Sequence, residues 1–180
     1  MIRHPVVHGH PLHAMLSDLP VTLVPSAFTL SLLAGARRRP RQLETFVVWT
    51  TRAALASAAT AGAIGWWDWI TMPKTHPTRR TSTLHGLINT TALGLVTAAV
   101  FTTGHRRTAI LGITVSGLLV SAWLGGDIVF HHGWRVRPAE EREIIGAQLE
   151  ARGMADIVDG ARREVAEFED RETYLPARES

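Results

Sequence analysis

Apolar positions in this chain run in four long blocks, not in the stripes of a surface helix. Residues 12–36 (LHAMLSDLPVTLVPSAFTLSLLAGA) hold Asp18 as their only carboxylate and no charge beyond it. The second block, 43–70, is charge-free from Ala53 to Trp67; the third, 82–103, has His85 as its only ionisable group; the fourth, 108–130, is uncharged as far as Asp127. About 20 such residues cross a hydrocarbon core roughly 30 Å thick. Backbone groups in lipid must be satisfied within their own segment, so the blocks are expected to be helices. The pattern predicts an all-α fold, a four-helix transmembrane bundle over 1–136 with spans at about 12–36, 43–70, 82–103 and 108–130. The joints agree: ARRRPR (36–41), TMPKTHPTRR (71–80) and GHRRT (104–108) are short and basic, and Trp66, Trp67 and Trp69 close the second span, where indoles settle at an interface. Pro20 and Pro25 predict a kink or an opened turn in the first span. Ala54, Ala58, Gly62 and Gly65, and Gly112, Ser116, Ser121 and Gly125, recur at helical spacing and allow close helix approach.

Beyond residue 136 the material changes. Residues 1–136 carry four carboxylates against twelve Arg or Lys; residues 137–180 carry twelve carboxylates against seven Arg. The body is therefore basic and the tail acidic. Over 137–172 two short amphipathic helices are expected, with Pro138 and its following acids starting the first. Gly153 ends that helix, and Ile157, Ala161, Val165 and Phe168 form the apolar face of the second. The tail is expected to pack on its own membrane domain or a dimer mate, or to dock a redox or membrane-complex partner. The chain has no cysteine, which excludes disulfides and thiol chemistry. No basic stripe with interleaved aromatics is present, so no nucleic-acid partner is expected. The N-terminus lacks the order of a secretory signal.

Candidate chemistry collects at one membrane face. If the spans alternate in direction, the start of the first, end of the second, start of the third and end of the fourth share a side. His10, His13, Asp18, Asp68, His85, Asn89, Asp127, His131 and His132 all fall there. His85 and Asn89 are four apart and share a helix face. His10, before Pro11, is expected as an N-cap, which puts His13 in the first turn. His13, His85 and His132 then converge from three helices, with Asp18, Asp68, Asn89 and Asp127 as supporting partners. Such groups near a membrane face a bundle interior and mark a function. Imidazoles oriented by carboxylates suit a metal ion or a haem iron. His4, His8, His76 and His105 are expected to be solvated.

The run HPLHAML (10–16), Asp68–Trp69 after Gly65, His85 with Asn89, and GGDIVFHHG (125–133) together resemble a bacterial membrane family, domain of unknown function 2231. That family shows an HPxHPML-like start, a G-x-x-DW-like end to its second span, a histidine opening the third, and a GGxLVYxHG-like close. The resemblance covers about residues 8–136 and singles out His10, His13, Asp68, His85, Gly125, Gly126 and His132. The chain departs at Ala14, where the family has a second proline, and in its acidic tail. The resemblance implies four spans in the bacterial cytoplasmic membrane. Some members are joined to Rieske-type iron–sulfur domains, which implies electron transfer.

Two functions follow. One is an electron-transfer protein holding b-type haem, or a single transition-metal ion, on His13, His85, His132 or His10, with Gly125 and Gly126 admitting a porphyrin edge. The other is a non-catalytic scaffold or accessory subunit, monomeric or homo-oligomeric, whose cluster is a structural polar network without a cofactor. Ion conduction is disfavoured, because Glu44 is the only carboxylate near the other face. No nucleophile–base pair or phosphate-binding loop is present, so the sequence assigns no enzymatic reaction.

Overall fold

A computed structural model describes residues 5–8, 10–36, 40–134 and 137–173; His4 and the loop arginines Arg37, Arg38 and Arg39 lie outside the described residues. A two-stranded hairpin, β1 (Val6–Val7) and β2 (His10–Pro11), precedes four long helices: α1 (Leu12–Ala36), α2 (Pro40–Thr71), α3 (Arg79–Val100) and α4 (Gly104–Gly126). A π-helical turn, Asp127–His131, follows α4. Helices α5 (Arg137–Ala151) and α6 (Ala155–Thr173) complete the described residues. It divides into two compact units, Met1–His132 and Gly133–Ser180.

In the first unit α1 lies against α2 and α4, and α3 lies against the same two helices. Helix α1 is unbroken across Pro20 and Pro25, with Pro20 buried. His10 is not the expected N-cap. It pairs with Val7 in the hairpin, and the amide of Leu12 donates to Pro5 O, so the strand ladder takes the residues that a cap would use.

Three helices are long and apolar enough to cross a membrane: α1, α3, and α4 continued to His131. The expectation of four such spans is met in part. Helix α2 is the longest, at 32 residues. Its composition lowers it, because Arg41, Glu44, Arg52 and Asp68 punctuate a stretch rich in alanine and glycine.

The interior of this unit is built from small side chains. Val24, Ala54 and Val96 form one buried cluster; Ala27, Ala99 and Leu111 form another, with Phe28 and Ile110 against it. Large apolar residues point outward instead, including Trp49, Leu119, Trp123 and Phe130. That inversion suits an apolar solvent, in which burying hydrocarbon yields no association force and close packing of small residues does. Several helical hydroxyls are satisfied locally: Thr51, Thr60, Thr97 and Thr114 each donate to the carbonyl four residues earlier.

Two arginines tie successive helices. Arg79 at the start of α3 donates to Met72 O (2.6 Å) and stacks over Trp69 (4.2 Å), covering the end of α2. Arg107 in α4 is 3% exposed and donates to Ala99 O and Thr102 O at the end of α3 and to Glu44 of α2. Each guanidinium meets carbonyls at or just beyond the negative end of the preceding helix.

In the second unit Gly153 ends α5 as expected from its sequence. It has φ +78°, its amide donates to Glu150 O, and the amide of Met154 donates to Leu149 O, which is a Schellman closure. The apolar face of α6 differs from expectation. Val158 is the buried residue and packs on Gly146, while Ile157 and Val165 are exposed; the Phe168 side chain lies outside the described residues. Two helices can bury only the line along which they touch, so the rest of the stripe stays open.

Candidate functional site

The polar cluster rests on two histidines, each seated on a neighbouring helix. His13, in the first turn of α1, places its ring against α2, where Nδ1 lies 3.0 Å from Ala61 O. His85, on α3, places its ring against α4, where Nδ1 lies 2.9 Å from Ser121 O. A carbonyl oxygen only accepts, so each Nδ1 donates.

Four residues after each acceptor stands a glycine. A Cβ on Gly65 would fall 2.7 Å from Cε1 of His13, and one on Gly125 would fall 3.3 Å from Cε1 of His85. The reason lies in helix geometry. The carbonyl of residue i points toward residue i+4, whose Cβ leans back over that turn. Without the Cβ, the carbonyl's second lone pair is open to a side chain from outside. Gly126 has no comparable role, since a Cβ there would meet Phe130 at an ordinary 3.8 Å.

The His85 seat is closed. Nε2 accepts from Asn89 Nδ2 (2.9 Å), and Ser121 Oγ donates to Asn89 Oδ1 (2.9 Å) while lying 3.0 Å from His85 Nδ1. Both ring nitrogens are thus engaged in a ring linking α3 to α4. The His13 seat is open. Its Nε2 has no hydrogen-bond partner among the described residues, and Ser17, at the position equivalent to Asn89, donates its hydroxyl to His13 O. The two imidazoles meet edge to face, with centroids 6.2 Å apart. Nearby, Trp66 donates to Thr90 and Trp69 to Thr83, joining α2 to α3.

The other expected site residues are placed differently. His132 does not complete a triad with His13 and His85. It lies 3.5 Å from Asp127 Oδ2 and edge-on to His131 (4.8 Å), at the π-helical turn, where the His132 amide donates to Asp127 O. His132 follows Gly125, the glycine of the His85 seat, by seven residues, so helical rise at about 1.5 Å per residue sets it further along the axis. His10 is exposed on β2, Asp18 is exposed on α1, and Asp68 is partly buried near the end of α2. Among the described residues no three His, Cys, Asp or Glu side chains lie together as metal ligands. Sequence reasoning had Ser121, Gly65 and Gly125 as small packing residues. Their additional role in seating the rings is signalled only by the paired spacings Ala61–Gly65 and Ser121–Gly125.

Apolar helices long enough to span a bilayer, small residues inside and large ones outside, define an integral membrane protein. The chain belongs to the family described as Predicted membrane protein (DUF2231), whose model matches residues 9–138. Comparison with curated proteins and with solved structures gives no match.

Proposed function

We propose that the chain is a four-span protein of the bacterial cytoplasmic membrane, a scaffold or accessory subunit in which the histidine cluster is the polar lock between helices. The observation that carries this reading is the closed ring of His85, Asn89 and Ser121, in which both imidazole nitrogens already have partners. In lipid an unsatisfied polar group costs several kcal/mol, so a fully satisfied network selects one packing of the helices over its alternatives. Helix α2 crosses as the fourth span through its packing on α1 and α3. Its Arg52 stacks on Trp49 at 5.5 Å, a geometry that lets the aliphatic stem stay in lipid while the charge reaches toward the interface. The acidic unit, with Ile144, Ile145, Ile157 and Val165 exposed, supplies the surface for a partner complex or a second copy.

One observation favours a second reading, electron transfer through b-type haem or a single transition-metal ion. His13 Nε2 is unengaged and close to His85. Ligation by both rings requires His85 to release Asn89 or Ser121, which sets this reading behind the first. A visible spectrum of detergent-purified protein, oxidised and dithionite-reduced, with metal analysis of the same sample, separates the two. The scaffold reading expects no chromophore, no stoichiometric metal, and loss of thermal stability in His85→Ala. A sharp reduced α-band, or one metal ion per chain that is lost in His13→Ala, overturns it.

A further inference from the structure

At the end of the helices remote from the histidines, α1, α4 and the start of α2 enclose an open groove of about 1310 Å³. Its two ends differ in chemistry. The mouth is formed by Arg41, Thr103, Gly104 and His105. Arg41 and His105 are exposed, and neither side chain has a partner among the described residues. Glu44 also lines the mouth, but the buried Arg107 guanidinium sits on its carboxylate at 2.5 Å and neutralises it. The mouth therefore presents net positive charge.

Below the mouth the walls are Phe28, Leu32, Ala109, Gly112 and Ile113. The hydroxyls set among them already have partners within the protein. Ser31 and Thr108 bond each other at 2.6 Å, and Ser116 donates to Gly112 O. The lower groove thus offers hydrocarbon and asks for no hydrogen bond. From His105 to Ser116 the groove follows α4 for roughly 17 Å at 1.5 Å per residue. That is about the depth of one leaflet of a core roughly 30 Å thick.

We infer that this groove holds one anionic phospholipid of the adjoining leaflet, its phosphate against Arg41 and His105 and an acyl chain along α4. Cationic mouths between spanning helices recognise anionic head groups, each Arg contributing about 1 kcal/mol. The inference goes beyond the scaffold reading and needs only α1 and α4 as spans.

The test is native mass spectrometry of the full chain released from mild detergent. The probes are phosphatidylglycerol, phosphatidylcholine of the same acyl composition, and inorganic phosphate. The expected result is one phosphatidylglycerol retained per chain, with phosphatidylcholine bound more weakly. Arg41→Gln weakens the anionic lipid about fivefold, the equivalent of that single contact. Ala109→Trp fills the groove and removes the bound lipid while leaving the charged mouth intact. Arg41 and His105 are exposed and their side chains have no partner among the described residues, so the double change Arg41→Gln with His105→Gln leaves folding intact and decides the matter if Ala109→Trp fails to fold. Equal retention of the two lipids, or retention unchanged in the double variant, overturns the inference. So does displacement of the lipid by inorganic phosphate, which would reduce the site to an ion site at the mouth. A quinone or a second copy of the chain recovered in place of phospholipid overturns it as well.

Discussion

The two histidine seats use one device with different outcomes. In each, an imidazole from an odd-numbered helix donates Nδ1–H to a carbonyl exposed by a glycine four residues later on the following helix. His85 is then locked by Asn89, one turn along its own helix, and by Ser121. His13 has Ser17 at the corresponding position, and that hydroxyl returns to the backbone. The seat therefore fixes ring position, and the residue one turn further decides whether the second nitrogen is engaged. One histidine has both ring nitrogens engaged, and the other has Nε2 without a hydrogen-bond partner among the described residues.

The largest expected effect distinguishes the closed seat from the open one. His85→Ala strands Asn89 and Ser121 beside a cavity and should cost about 3 kcal/mol, while His13→Ala, which strands one carbonyl already bonded within its helix, should cost about half as much. Thermal unfolding in the same detergent reads both, and equal losses would remove the distinction. Next comes the glycine itself. Gly65→Ala drives a methyl into the His13 ring and should destabilise by about 2 kcal/mol, an overpacking cost. Gly125→Ala meets His85 at a longer distance and should cost less, offset in part by the helix preference for alanine over glycine. A reversed order would mean that the seats do not depend on close approach.

Asn89→Ala should cost about 1.5 kcal/mol and open the second seat. Carbethoxylation followed by peptide mass spectrometry should then show His85 modified at a rate approaching that of His13, whereas in the unaltered protein His13 reacts several-fold faster. The smallest effect runs the other way. Ser17→Asn places an amide one turn from His13 and should stabilise by about 0.5 kcal/mol if it reaches Nε2. The same carbethoxylation assay should then show His13 protected, and an unprotected His13 would show that the closure depends on α4 as well as on the amide.

The opposite end of the unit holds its helices by charge. Arg107 joins α2, α3 and α4 through Glu44, Ala99 O in the last turn of α3 and Thr102 O just beyond it, with its own exposure at 3%. The sequence places Arg106 and Arg107 in a short basic loop, whereas both lie in the first turn of α4, where Arg106 is exposed. Arg107 looks the same in sequence. It differs by one helical position, about 100° of rotation, which turns it from solvent to the interior.

Sequence alone settled what chemical periodicity and length can settle. The helical class, three of the four expected spans, the family, and the sharing of one face by His85 and Asn89 were all legible, because each depends on residue type and spacing along one chain. The tertiary structure decided the rest. The partners of both Nδ1 atoms are backbone carbonyls, and a carbonyl is present at every residue, so no residue type marks Ala61 or Ser121 as the acceptor. His132 stands with Asp127 and His131 at the π-helical turn after Gly126, and no third ligand-type side chain joins His13 and His85 among the described residues. The exposure of Ile157 and Val165 on α6 reflects how little of an apolar stripe two helices can cover. Such outcomes depend on which helix faces which, at what depth and rotation, and these are properties of packing between segments.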